Sequence, residues 1–207
     1  MKESLQFLNK YCSFDEPDWV WILTSIIRNK DNANIKGALN RKIIREQNDI
    51  EQCYVYLKSL ADNIDATYRM YISLNARSCK KTAFSFQHKL LDLNYDLARD
   101  IQGANSQIKK IDSLWKTELA QSQNRATKRF LLDIDNESNL EKVNILTDEL
   151  NKITKIYTIR KTVSGYAVAF DACDTRNVIN IAKDNNIEMA VQKDSMVFVE
   201  QFMLTTL

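Results

Sequence analysis

Lys128-Arg129-Phe130-Leu131-Leu132-Asp133-Ile134-Asp135-Asn136 decides how this 207-residue chain is read. Phe130, Leu131, Leu132 and Ile134 form a short apolar run, and Asn136-Glu137-Ser138-Asn139 stops it, as at the end of a buried strand. Side chains alternate faces along a strand, so Asp133 and Asp135 point the same way. Two carboxylates on one face of a strand end repel each other unless something positive lies between them. A divalent cation with oxygen ligands, Mg²⁺ or Mn²⁺, answers that need. The competing reading is two surface aspartates in a strand-to-helix turn, one of them capping the next helix; D-x-D alone is a common tripeptide.

Downstream of this strand, Val143, Leu146, Leu150 and Ile153 mark one face of a helix. Residues 155–160 read as a strand, and residues 162–171 as a turn and strand. Asp174 caps a short helix bearing Val178, Ile179 and Ala182. Residues 187–191 and 196–200 then read as a closing hairpin around Lys193-Asp194-Ser195. Upstream, residues 2–12 read as a helix, and Pro17 then breaks the chain. Residues 18–27 make an aromatic and β-branched strand, followed by a polar loop from Arg28 to Asn32. An edge strand over 41–45 precedes a helix with Ile50, Cys53, Leu57, Leu60 and Ile64 at clean helical spacing. Residues 67–77 alternate: Tyr68, Met70, Ile72 and Leu74 face one way, while Arg69, Tyr71, Ser73 and Asn75 form a polar, ligand-capable face. A long helix from Lys80, ended by Gly103, pairs with a second helix bearing Ile108, Ile111, Trp115 and Leu119.

Strands and helices interleave, so the expected class is α+β: one domain with a mixed, mostly antiparallel sheet flanked by helices. Residues 1–124 supply strands and a helical insertion, and 125–207 the motif-bearing core. Only 3 glycines and 1 proline argue against a flexible linker or a Gly-rich phosphate loop. Four scattered cysteines with a single His88 make no standard zinc site and no Ser–His–Asp triad. With no apolar run near 18 residues and no signal peptide, a cytoplasmic chain with reduced thiols and no membrane partner is expected. Net charge is only +2, but Arg28, Lys30, Lys36, Arg41, Lys42 and Arg45 face Asp31 alone over their stretch, a clustering that favours phosphate ligands.

The order of pieces in the second half resembles the catalytic core of the archaeo-eukaryotic primase superfamily. Leu132-Asp133-Ile134-Asp135 looks like its hDhD strand. Ser164-Gly165-Tyr166 looks like its small-x-His element, with Ala167 where the histidine belongs. The third mark, a carboxylate ending a later strand, falls on Asp171 or Glu200. Residues 19–30 and 69–78 look like small primase-like proteins of phage genomes. The resemblance implies a nucleotidyltransferase acting on nucleic acid in DNA replication, in the host cytoplasm if phage-encoded. Asp133 and Asp135 would be catalytic and, with Asp171 as the third ligand, hold Mg²⁺ or Mn²⁺. Arg160, Lys161, Ser164 and Arg77 would cradle the nucleoside triphosphate. Two other readings stay open: a non-catalytic nucleic-acid-binding accessory protein on the same fold, and a protein-interaction module.

Overall fold

A computed structural model describes residues 2–28, 31, 39–62, 66–99 and 101–202. The chain runs α1 (Lys2–Tyr11), β1 (Trp19–Ile27), β2 (Leu39–Ile44), α2 (Asp49–Asp62), β3 (Tyr68–Ser73), β4 (Arg77–Ser78) and α3 (Cys79–Ala98). It continues through α4 (Ala104–Ile108), α5 (Ile111–Leu119), a 3₁₀ turn (Ser122–Asn124), β5 (Arg129–Asp135), α6 (Leu140–Leu150) and β6 (Ile156–Lys161). It closes with β7 (Gly165–Asp171), α7 (Thr175–Asp184), β8 (Met189–Gln192) and β9 (Met196–Phe202).

The α+β class expected from the interleaved pattern is the one observed, but the strands form two sheets rather than one. The first has the order β2-β1-β3-β9, with β4 also on β1; the second has the order β6-β7-β5-β8. Every pairing between these strands is antiparallel, so no parallel pair makes either sheet mixed. The second sheet with α6 and α7 is a β-α-β-β-α-β unit whose first strand, β5, sits inside the sheet, the split β-α-β arrangement. β5 buries side chains on both faces, Leu132 and Ile134 beneath α6 and α7 and Leu131 in the core shared with the first sheet, which is why its apolar run is nearly continuous.

The expected hairpin over 187–200 does not form. β8 pairs with β5, whereas β9 crosses to β3. The connector is held by the first half of the chain instead: Leu74 N donates to Ser195 O at 3.0 Å, and Arg77 grips Asp194. Gly103 does not end the long helix, which stops at Ala98. At φ +93° it precedes α4, and the expected second helix is split into α4 and α5. Ile64 lies outside the described residues.

Period-two alternation sends the faces of each sheet to different neighbours. Leu132, Ile134, Tyr166, Val168 and Phe170 pack beneath α6 and α7. Leu131, Ala167 and Ala169, on the other face of the second sheet, join Trp21, Leu23, Met70 and Ile72 of the first sheet, together with α1 and α2, in a single core cluster. The two sheets therefore share apolar packing at one side. On the far face of the first sheet Leu119 of α5 packs on Val20 and Ile22, whereas Ile26, Tyr71 and Phe198 further along that face are only partly buried. All four cysteines are free. Among the described residues no helix is long and apolar enough to cross a membrane.

Candidate functional site

The far face of the first sheet and the non-helical face of the second form the walls of a cleft of about 540 Å³. Leu131, Asp133 and Asp135 of β5 lie on one wall, with the Thr162-Val163-Ser164 turn, Ala167 and Gln192 around them. Ile26, Arg28, Arg69, Tyr71, Met196 and Phe198 form the facing wall. Acidic side chains thus look across at basic and aromatic ones.

Local backbone chemistry aims the two aspartates. The next helix is capped by Asn139, whose Oδ1 accepts from Glu141 N at 2.9 Å, so neither aspartate serves as its cap. Asn136 turns the chain with φ +57°, a conformation asparagine tolerates, and its N–H donates to Ser164 O at 2.8 Å. Gly165 stands opposite Asp135 so closely that a Cβ would lie 1.9 Å from Ile134 O. Gln192 Nε2 donates to Asp133 Oδ2 at 3.0 Å, and Ser164 Oγ donates to Asp135 Oδ1 at 3.3 Å.

Asp133 is half-buried. Burial first, and the Asp135 charge second, hold its carboxyl above the ordinary aspartate range, while the Gln192 amide pulls the other way. A carboxyl whose folded pKa is raised costs stability once it ionises. The cost is absent below the ordinary aspartate pKa, grows as pH rises toward the raised folded value, and is complete above it. Asp133→Asn removes it. The urea midpoint of this variant is expected above wild type at pH 7, with the gap closing as pH falls into the ordinary carboxylate range. A gap independent of pH would rule out ionisation as its source.

Both candidate third carboxylates lie elsewhere. Asp133 faces Ala167 on β7, and Asp171 is four residues further along, opposite Arg129. At strand spacing that is about 13 Å, beyond shared coordination of one ion. Asp171 Oδ1 accepts from the Tyr157 hydroxyl at 2.8 Å. Glu200 stands opposite Met70 on the α2 side of the first sheet, where the Ser4 and Tyr54 hydroxyls each donate to its Oε2 at 2.6 Å. Among the described residues, no three His, Cys, Asp or Glu side chains gather as a metal cluster.

Of the four expected phosphate ligands, the structure brings only Ser164 to the cleft. Arg77 is buried and forked onto Asp194, with Nη2–Oδ1 at 2.9 Å, and its Nη1 also donates to Gln121 O at 3.0 Å. Arg160 reaches behind the cleft: its Nη2 donates to Val199 O at 2.7 Å and its guanidinium lies over Phe7 at 4.5 Å. Lys161 stands opposite Tyr166 and so points toward the α6–α7 side. The side chains that do face the carboxylates include Arg28, from the basic stretch 28–45, and Gln192, which no sequence motif marks. Arg69 and Tyr71 are there as the polar face of β3 foretold. Arg69 is ion-paired to Asp31 at 2.7 Å, and among the described residues its buried Nε and Asp31 Oδ2 find no hydrogen-bond partner. Tyr71 meets Phe198 edge-on at 5.8 Å.

The oxygen donors present suit a hard divalent ion. Mg²⁺ is commonly held by one or two carboxylates, with water and substrate phosphate completing its shell. Asp133, Asp135 and Ser164 match that partial set. Compared with known proteins, the chain matches no family model, no curated protein and no solved structure.

Proposed function

We propose that the cleft binds a nucleoside triphosphate together with Mg²⁺ or Mn²⁺, and that the chain is a primase-like nucleotidyltransferase acting on nucleic acid. One observation carries this reading: a carboxylate pair on β5 faces Arg28, Arg69 and Tyr71 across a single cleft. When bound, the ion neutralises phosphate charge and lowers the pKa of an attacking hydroxyl. Asp133 and Asp135 hold it. The Arg69 guanidinium on the facing wall takes phosphate oxygen. Tyr71 and Phe198 offer ring faces to a base. A hollow of about 370 Å³ continues past Ser195 and Met196 to Arg41 and Thr24, giving a polynucleotide a path along the first sheet. A cytoplasm, a host's if the chain is phage-encoded, would keep the four thiols reduced.

The test is calorimetric titration of Mn²⁺ with a nucleoside triphosphate present. Wild type is expected to bind saturably. Asp133→Ala/Asp135→Ala is expected to bind at least about a hundredfold more weakly, roughly 2.7 kcal/mol. No heat from wild type would remove the reading.

The engagement of Asp171 and Glu200 elsewhere, with Ala167 opposite Asp133, favours a second reading: nucleotide or nucleic acid is bound without transfer. Metal-dependent binding with no primer extension would select it. Salt-sensitive nucleic-acid binding that survives the double substitution would detach binding from the carboxylates.

A further inference from the structure

α3 buries one side and leaves an apolar stripe on the other. Thr82, Phe86 and Leu93 face inward. There Phe86 meets Trp115 edge-on at 5.4 Å, and the Lys89 ammonium pairs with buried Glu118. Half a turn away around the helix, Phe84, His88, Leu91 and Tyr95 follow at spacings of four, three and four, the pattern of a helix-pair seam. Phe84 is 72% exposed, Leu91 65% and Tyr95 59%. The stripe is internally organised. His88 edges Phe84 at 6.2 Å, and Arg99 lies over Tyr95 while donating to its hydroxyl at 2.8 Å. Three side chains of this size at these exposures present roughly 400 Å², a patch that usually has a use.

We propose that this stripe pairs two copies of the chain, α3 against α3 and antiparallel. Charge selects both occupant and direction. Lys80 flanks the Phe84 end, with Lys81 beside it donating to Arg125 O at 2.8 Å, and Asp92 and Asp96 flank the Leu91–Tyr95 end. Arg99 at the acidic end is already turned onto Tyr95. A second copy reversed about a two-fold axis sets each basic end against an acidic one, whereas a parallel copy sets like against like. The helix has 20 residues, about 30 Å of contact length. Two stripes bury about 800 Å² of apolar surface before their flanks are counted, at the small end of specific interfaces. An interface of this size makes a weak, reversible dimer. No residue lining the carboxylate cleft belongs to α3, so pairing leaves that cleft open.

Sedimentation equilibrium from about 1 to 200 µM tests this, spanning the affinity that so small an interface implies. Wild type is expected to dimerise. Leu91→Glu, at an exposed site, is expected to weaken association at least tenfold with an unchanged circular dichroism spectrum. Lys80→Glu and Asp92→Lys are each expected to weaken it several-fold, and an equimolar mixture of the two to regain dimer. A wild type that stays monomeric, or a dimer indifferent to Leu91→Glu, overturns the interface. A dimer lost in Leu91→Glu but indifferent to both charge reversals overturns the antiparallel arrangement.

Discussion

Gly165→Ala is expected to lower stability by about 3 kcal/mol, the upper end for overpacking. The added methyl meets Ile134 O at 1.9 Å, Ile134 C at 3.0 Å and Asp135 Cα at 3.3 Å. All three atoms are backbone of β5, so no side chain can rotate away. The strands must part at the place where β5 delivers its carboxylates. For a chain of this length the thermal midpoint drops by roughly 6–12 °C. Under the proposed function, metal-dependent nucleotide binding should fall with it, because Ser164, which bonds Asp135, moves with residue 165. Thermal unfolding beside the binding titration checks both. A wild-type midpoint would mean that β5 and β7 can separate there at little cost.

Arg129→Ala is expected to cost a similar amount, about 3 kcal/mol, through a different cause. Arg129 opens β5 and is buried, its guanidinium 3.7 Å from the centre of the Tyr157 ring, 5.0 Å from Tyr11 and 5.2 Å from Trp21. Its backbone is clamped by Asn75, which accepts from Arg129 N at 2.6 Å and donates to Arg129 O at 3.2 Å. Truncation leaves a cavity where β1, α1 and β6 meet, and such losses run to about 2–5 kcal/mol. It also removes the attraction to three ring faces, about 1–2 kcal/mol each when desolvated. Relief of the burial cost of the charge offsets part of this. Arg129→Met keeps the stem and sheds the charge, so it should lose less than about 1.5 kcal/mol. Urea unfolding of both variants separates the contributions. A Met variant as damaged as the Ala variant would place the stabilisation in the charge over the rings.

What was legible in the sequence was whatever depends on neighbours along the chain. The apolar run and polar stop around Asp133 and Asp135 define β5 and put both carboxylates on one face, because alternation is local. The polar face of β3 announced Arg69 and Tyr71 for the same reason. Asp171 misled because ending a strand says nothing about which end of its neighbour lies beside it. In an antiparallel sheet the end of β7 adjoins the start of β5, beside Arg129 and far from Asp133. Arg77 and Arg160 read as phosphate ligands because their partners are remote: Asp194 lies 117 residues from Arg77, and Val199 39 residues from Arg160. Gln192 carried no signal, since its place beside Asp133 depends on β8 joining β5 rather than β9. The split into two sheets was hidden by the same choice of partners.

The placement of β9 bears on the order of folding. The carboxylate-bearing sheet comes from one continuous stretch, residues 129–192, whose longest closure, Leu131 to Gln192, spans 61 positions. The facing sheet lacks an edge until β9, beyond that stretch, docks on β3 more than a hundred residues back. The Glu200–Ser4 hydrogen bond spans 196 positions. Closing so long a loop is slow compared with assembling local strands. The aspartates are therefore expected to be in register before anything faces them, and the cleft to be the last feature the chain acquires.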